Sequence, residues 1–183
     1  QNYDRFHDQA EQIYRVTEFY EEHGVMQEQS AAVPWPVGPT MQADIPGVTA
    51  VRFYQTWQKT PLLAYEPDAA GPAPRRFYEE RLFFTDPAVF EVFDGFTLLR
   101  GDPARALAEP QTIVLSETTA RKYFDDADPM GRTLVFEDTL AFTVTGLLAD
   151  TPADAHFQID ILASIQQTGA IFAATGNHLG FEG

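Results

Sequence analysis

The sequence contains no cysteine, which excludes disulfides, thiolate nucleophiles and cysteine-ligated zinc. That absence does not fix a compartment, because many exported domains lack disulfides too. Positive charge is scarce: 12 Lys+Arg stand against 27 Asp+Glu, a formal net charge of −15. Such a surface repels phosphate backbones and anionic lipid, so nucleic-acid and membrane-surface binding are disfavoured. The plain reading is a well-solvated surface, and the sharper one is adaptation to high salt, where screening removes self-repulsion. Histidine is sparse as well. His7, His23, His156 and His178 stand outside any GxSxG, HExxH or HxH context. His7 occupies a polar helix position and His23 a turn, both solvated; His156 reads as a local hydrogen-bonding residue and His178 falls in a weakly patterned tail. Phosphate cradles of the GxxxxGK[ST] or GxGxxG type are missing. No apolar run approaches the roughly 20 residues that span a bilayer. The chain opens at Gln1 without an initiator Met or signal pattern, and reads as a piece of something longer.

What is present is a globular inventory. Hydrophobic residues make up 44% and aromatic residues 13% of 183 positions, enough to build a core in one domain or two small lobes. Residues 4–16 place Phe6, Ala10, Ile13 and Val16 at helical spacing, with Asp4 as a candidate N-cap. The pattern turns extended from Tyr14, passes a polar turn at 21–24 and returns as a strand over 25–33. A short helix is expected from Trp35 to Asp44, with Pro36 in its first turn and Pro46-Gly47 ending it. A strand over about 49–56 completes a candidate βαβ unit.

Residues 66–76 carry the strongest loop signal, with three prolines and a glycine. One strand is expected over 77–84. Asp86-Pro87 reads as an acidic cap with Pro at N1 of a helix over 87–93 that buries Val89, Phe90 and Phe93. Asp102-Pro103 repeats the device. A strand at 112–115 leads to Ser116, which caps a helix over 117–124 facing Ala120, Tyr123 and Phe124 inward. Strands at 133–136 and 141–148 pair through Glu137-Asp138-Thr139, and 157–163 forms the last strand. Hairpin-paired strands mixed with short helices argue for an α+β fold.

Two stretches imitate functional sites. Asp126, Asp128, Gly131 and Glu137 fall at the first, third, sixth and twelfth positions of a calcium loop. Met130 stands where an oxygen ligand belongs, Pro129 stiffens the loop, and the following residues read as strand, so the expectation is a turn feeding a hairpin. Glu79-Glu80 and Asp125-Asp126 are adjacent carboxylates; in a strand, neighbours point to opposite faces and do not share a substrate. The expected inventory is therefore no catalytic residue, no metal ligand and no cofactor. The aromatic clusters Phe83-Phe84, Phe90–Phe93–Phe96 and Tyr123-Phe124 read as core.

Four segments in order resemble the MacB-like periplasmic core domain of ABC-transporter permeases of the MacB/FtsX type. They are YDRFHDQAEQIYRV at 3–16, FFTDPAVFEVFDGFTLLRGDPARAL at 83–107, IVLSETTARKYF with DPMGRTL over 113–134, and FTVTGLLADTP with HFQIDILAS over 142–164. The resemblance implies a porter-like lobe, residues 1–57 and 156–183, holding the βαβ unit and incomplete at its C-terminal end. It implies an inserted strand-rich lobe over 58–155. It further implies flanking membrane helices, placement on the periplasmic face of the bacterial inner membrane, a cytoplasmic ATPase subunit as partner, a periplasmic adaptor or other protein partner, and a homodimer in the full transporter. The family motifs are caps, turns and core strands, so no catalytic residue is carried over. The alternative is a non-catalytic extracellular sensor or protein-interaction module.

The charge excess makes a measurable prediction. Self-repulsion at −15 destabilises the chain at low ionic strength. Tm is expected to rise with NaCl up to several tenths molar, with KCl acting alike; a flat or falling dependence refutes the repulsion argument.

Overall fold

A computed structural model describes residues 10–19, 21–22, 25–26, 32–56, 60–67, 73–152, 157–166 and 169–171. The architecture is mixed α+β. Among the described residues eleven strands run in chain order: β1 (Glu21–Glu22), β2 (Val25–Met26), β3 (Phe53–Tyr54), β4 (Leu62–Tyr65), β5 (Arg75–Tyr78), β6 (Leu82–Thr85), β7 (Leu98–Arg100), β8 (Thr112–Ser116), β9 (Thr133–Phe136), β10 (Leu140–Leu148) and β11 (Ile161–Ser164). The helices are α1 (Val37–Asp44), α2 (Val89–Val92) and α3 (Glu117–Phe124).

β1 and β2 form a separate hairpin, and the other nine strands share one sheet in the order β3-β6-β11-β8-β10-β9-β4-β5, with β7 on the end of β10. β10 runs parallel to β8, and β11 parallel to β6; the remaining pairs are antiparallel. β5 is one edge, yet β6, reached through Glu79, Glu80 and Arg81 alone, lies six strand positions away. Across a flat sheet that separation is about 29 Å at the usual strand spacing. The four Cα steps from Tyr78 to Leu82 reach only about 14 Å. The sheet therefore curls until its two sides approach each other.

Curling gives the sheet an inside and an outside, and the strands alternate between them. Leu82, Phe84, Ile113, Leu115, Ile161 and Ala163 point in, to a core with Leu63, Leu134, Phe136 and Phe142. α3 fills that interior with Ala120, Tyr123 and Phe124. Phe83, Val114 and Leu162 point out, beneath a cover made from Val89, Phe90, Phe93, Phe96 and Leu107.

Several sequence expectations hold: α1 begins after Trp35-Pro36, β9 and β10 pair through residues 137–139, and Ser116 Oγ accepts the Thr119 N–H at 3.2 Å as the cap of α3. Others are corrected. Of the expected helix at 4–16 the described part shows only a 3-10 turn, Ala10–Gln12; Asp4 and Phe6 lie outside the described residues. β2 covers two residues of the expected 25–33 strand, and 27–31 lie outside the description. The strand at 49–56 is only β3, because Asp86 takes the Arg52 N–H with its side chain and the backbone ladder stops there. The flanks of α1 do not make a βαβ unit: β2 pairs with β1, whereas β3 pairs antiparallel with β6. The single strand at 77–84 is two, β5 and β6, broken where Glu79 turns its carboxylate onto α3. Asp86 does not cap α2, which spans only Val89–Val92, since Arg52 occupies that carboxylate. Asp102 does cap a turn, accepting the Ala104 N–H at 3.0 Å. β11 starts at Ile161, four residues later than expected.

β4 and β7 have no counterpart in the sequence reading. β4, Leu-Leu-Ala-Tyr, is buried at three of four positions and shows no alternation to detect. β7 ends at Gly101, where φ is 102° and a Cβ would come within 2.6 Å of the Thr145 carbonyl oxygen; only glycine fits that approach.

The crossover between β5 and β6 rests on a buried charge. Glu79 is 5% exposed, and its carboxylate accepts from Lys122 Nζ at 2.8 and 2.9 Å and from the Tyr123 hydroxyl at 2.5 Å. Lys122→Met leaves that carboxylate without its cation and is expected to cost about 3 kcal/mol. The double variant Glu79→Gln/Lys122→Met is expected to cost less than Lys122→Met alone. Urea denaturation of the three proteins measures this; additive or larger losses in the double variant refute it.

Candidate functional site

The calcium-like loop is built as a hairpin entry. Asp128 lies in the turn after α3, and Arg100 at the end of β7 grips its carboxylate with two donors, Nη1 to Oδ1 at 2.7 Å and Nη2 to Oδ2 at 3.1 Å. The Met130 N–H adds a third bond at 3.0 Å. The Arg100 hydrogen bond, helped by the Met130 N–H, holds the Asp128 carboxyl below the usual carboxylate range. Glu137, at the far end of the loop pattern, instead accepts the Leu62 N–H of β4 at 2.8 Å, while its own N–H donates to the Leu62 carbonyl at 2.9 Å. Glu137 and Asp138 both sit at positive φ, 50° and 56°, in the turn between β9 and β10; a hairpin turn with two such residues matches the strand twist. The two carboxylates thus serve different joints of the sheet. Among the described residues, no three of His, Cys, Asp and Glu are grouped so that they could hold a metal ion.

The adjacent carboxylates part as expected for neighbours on a chain: Glu79 is buried and Glu80 exposed. Asp125, the C-cap of α3, pairs with Arg75 of β5. The Arg75 hydrogen bond lowers the Asp125 carboxyl and raises the guanidinium in turn. His7, His23, His156 and His178 all lie outside the described residues.

The sequence did not point to the groove of about 410 Å³ at the crossover, lined by Thr60, Tyr78, Glu79, Glu80, Arg81 and Asp160. Three segments distant in the chain meet there, and only a long-range contact brings them together. Its chemistry is restrained. Glu79 is committed to Lys122 and Tyr123. Behind it, the Tyr123 phenol is pushed far above its ordinary range, first by burial and then by its bond to Glu79, so it acts as a fixed donor. Asp160 lies across from Arg81 at 3.8 Å. Burial raises its carboxyl above the ordinary value, against the opposing pull of Arg81. These groups tie the crossover together electrostatically.

The raised Asp160 pKa fixes a sign. The folded chain holds that proton more tightly than the unfolded chain, so stability falls as pH rises from the ordinary Asp range, about 4, through the raised value. Asp160→Asn is expected to raise Tm at pH 7, and the gain should shrink towards zero below about pH 4. A gain that is constant across this range, or a loss at pH 7, refutes the assignment of burial as the dominant cause.

The fold and these sites can be compared with known proteins. A family model described as the MacB-like periplasmic core domain matches residues 1–178. Among solved structures, a permease domain from Porphyromonas gingivalis has a TM-score of 0.56 at 23% identity, covering 88% of this chain and 64% of that one. The periplasmic region of MacB from Actinobacillus actinomycetemcomitans gives 0.44 at 17% identity, with 76% and 69% covered. The extracellular domain of the ABC-type transporter YknZ from Gram-positive bacteria gives 0.46 at 13% identity, with 71% and 62% covered. At such identities the first likeness speaks to the fold, and this chain spans about two thirds of that domain's length. No curated protein matches. With the family model running through residues 1–178, the chain belongs to the MacB-like periplasmic core domain family, a periplasmic domain of ABC-transporter permeases.

Proposed function

We propose that this domain couples ATP hydrolysis in a cytoplasmic ATPase subunit to efflux, lipoprotein release or activation of a periplasmic partner, and that it performs no catalysis of its own. The observation that carries the reading is the match over residues 1–178 to a family whose motifs here are caps, turns and core strands. Ser116 caps α3, Asp102 caps a turn, and Asp128 and Glu137 brace the sheet. A domain that transmits movement needs such internal ties, because a stiff body passes displacement on where a soft one absorbs it.

In this reading the domain stands on the periplasmic face of the inner membrane, between membrane helices, in a homodimeric transporter that an adaptor or other periplasmic protein engages. Among the described residues, no helix is long and apolar enough to cross a membrane. The two-lobe division belongs to the same proposal, with one adjustment. The division is a porter-like lobe over 1–57 and 156–183 with an inserted strand-rich lobe over 58–155, and the adjustment is to read β3 and β11, which hydrogen-bond into the large sheet, as the seam between them.

The test uses Phe93, whose ring stacks on Phe96 at 5.5 Å and meets Phe53 edge-on at 5.4 Å. Phe93→Asp places a carboxylate in that cluster at a cost of about 3 kcal/mol. In the full transporter it is expected to abolish transport or partner activation while the ATPase subunit still binds nucleotide. The purified wild-type domain is expected neither to bind nor to hydrolyse ATP. Normal transport with the mutant lobe unfolded, or turnover of a substrate by the isolated domain, overturns the proposal.

A further inference from the structure

α1 has no buried residue, so its docking on the sheet does not come from burying an apolar stripe. The helix itself rests on Arg52, while Trp35 just before it packs against the rim of the inner core. A Cβ on Gly38 would come within 3.2 Å of Arg52 Cγ, so the helix backbone lies directly against the arginine stem. The Trp35 ring, just before α1, lies 4.5 Å from the guanidinium carbon, and its edge meets Tyr54 at 6.3 Å. After the helix, the Ala50 N–H donates to Gln42 Oε1 at 3.0 Å.

On its other side Arg52 is tied to one carboxylate. Nε donates to Asp86 Oδ2 at 2.9 Å, Nη2 to Oδ1 at 2.6 Å, and the Arg52 backbone N–H to Oδ2 at 2.7 Å. The position follows from the register. β3 and β6 pair Phe53 with Thr85 and Tyr54 with Phe84, so the next step sets Arg52 opposite Asp86. Pro87 then turns the chain towards α2, and the backbone ladder ends there. The Asp86 side chain replaces the missing ladder bond and holds the guanidinium fork with the same atoms.

We propose that residues 35–50 are a flap clasped to the sheet by the Arg52–Asp86 pair, and that the flap opens as a unit while the sheet stays folded. A planar fork on a carboxylate makes both of its bonds in one geometry, so it releases as a whole. Release frees the stem under Gly38 and the cation over Trp35 in the same step. The opening is a property of this chain; its use in coupling rests on the transporter reading.

Hydrogen exchange on the 183-residue chain tests the clasp. In Asp86→Asn, which loses the charge, and in Arg52→Lys, which loses the fork, the amides of Thr40–Ile45 are expected to exchange roughly tenfold faster or more. Amides of Ile113–Leu115 in β8 are expected to change less than about threefold. Equal acceleration of both sets makes the pair a support of the whole fold and overturns the flap; no acceleration at Thr40–Ile45 overturns the clasp. The wild type gives a second measurement if a variant does not fold. In low urea, Thr40–Ile45 exchange should show a weaker urea dependence than β8, because opening the flap exposes less surface than unfolding the sheet. Equal dependence refutes the proposal. A transporter assay that contradicts the coupling role leaves this result untouched, so the two failures are separable.

Discussion

The curled sheet depends on Glu79. A turn of three residues must carry the chain from one edge strand, β5, to a strand six positions away, and it does so with a charged side chain pointing inward. Burying an unpaired carboxylate costs far more than one turn can return. α3 removes that cost by supplying Lys122 and Tyr123 from consecutive positions, while the Lys122 ammonium also lies 4.5 Å from the Phe77 ring. The pair fixes where α3 enters the interior, and α3 fills the space that curling creates. Replacing a buried ion pair with apolar groups is often neutral or stabilising, so the pair is better read as a device for register than as a source of net stability. Shifting β5 by one residue would send Glu79 outward and Glu80 inward, away from Lys122.

The outer face has a different organising principle. Phe53, Phe83, Phe93 and Phe157 gather there, with Phe53 edge-on to the other three rings at 5.2 to 6.3 Å. Such edge-to-face contacts place the positive rim of one ring on the negative face of the next. Phe53 lies where the chain enters the sheet and Phe157 just before it enters β11, the last strand. The approaches to β3 and to β11 are thus fastened together on the outside, while the crossover is fastened on the inside.

What could be read in advance follows from the range of the interactions involved. α3 was legible to the residue, because Ser116, the inward set Ala120, Tyr123 and Phe124, and the basic last turn are all local signals. β9 and β10 were legible because burial alternates along them and a turn separates them. The errors share a cause. Asp86 has the look of a helix cap until Arg52, 34 positions earlier, claims it. Glu79 continues a plausible strand until Lys122, 43 positions later, turns it inward. Side chains of Asp, Glu and Arg satisfy local and distant partners equally well, so the sequence around them does not say which partner wins. In the calcium-like spacing, too, distant partners decide: Arg100 of β7 takes Asp128 and Leu62 of β4 takes Glu137.

Cations are scarce enough that their placement carries information. Arg52, Arg75, Arg76, Arg81, Arg100 and Lys122 each hold a carboxylate from another part of the chain. Arg132 bridges the Asp128 carbonyl and the Tyr65 hydroxyl instead. Positive charge is spent joining strands to helices and turns, which leaves the negative excess to the surface. The exposed pairs, such as Arg100–Asp128, lose strength as salt screens them, and each contributes at most about 1 kcal/mol. The two more buried pairs, Arg52–Asp86 and Lys122–Glu79, are shielded from that screening by their position. Salt therefore weakens the repulsion among surface carboxylates while sparing the two ties that hold the flap and the crossover.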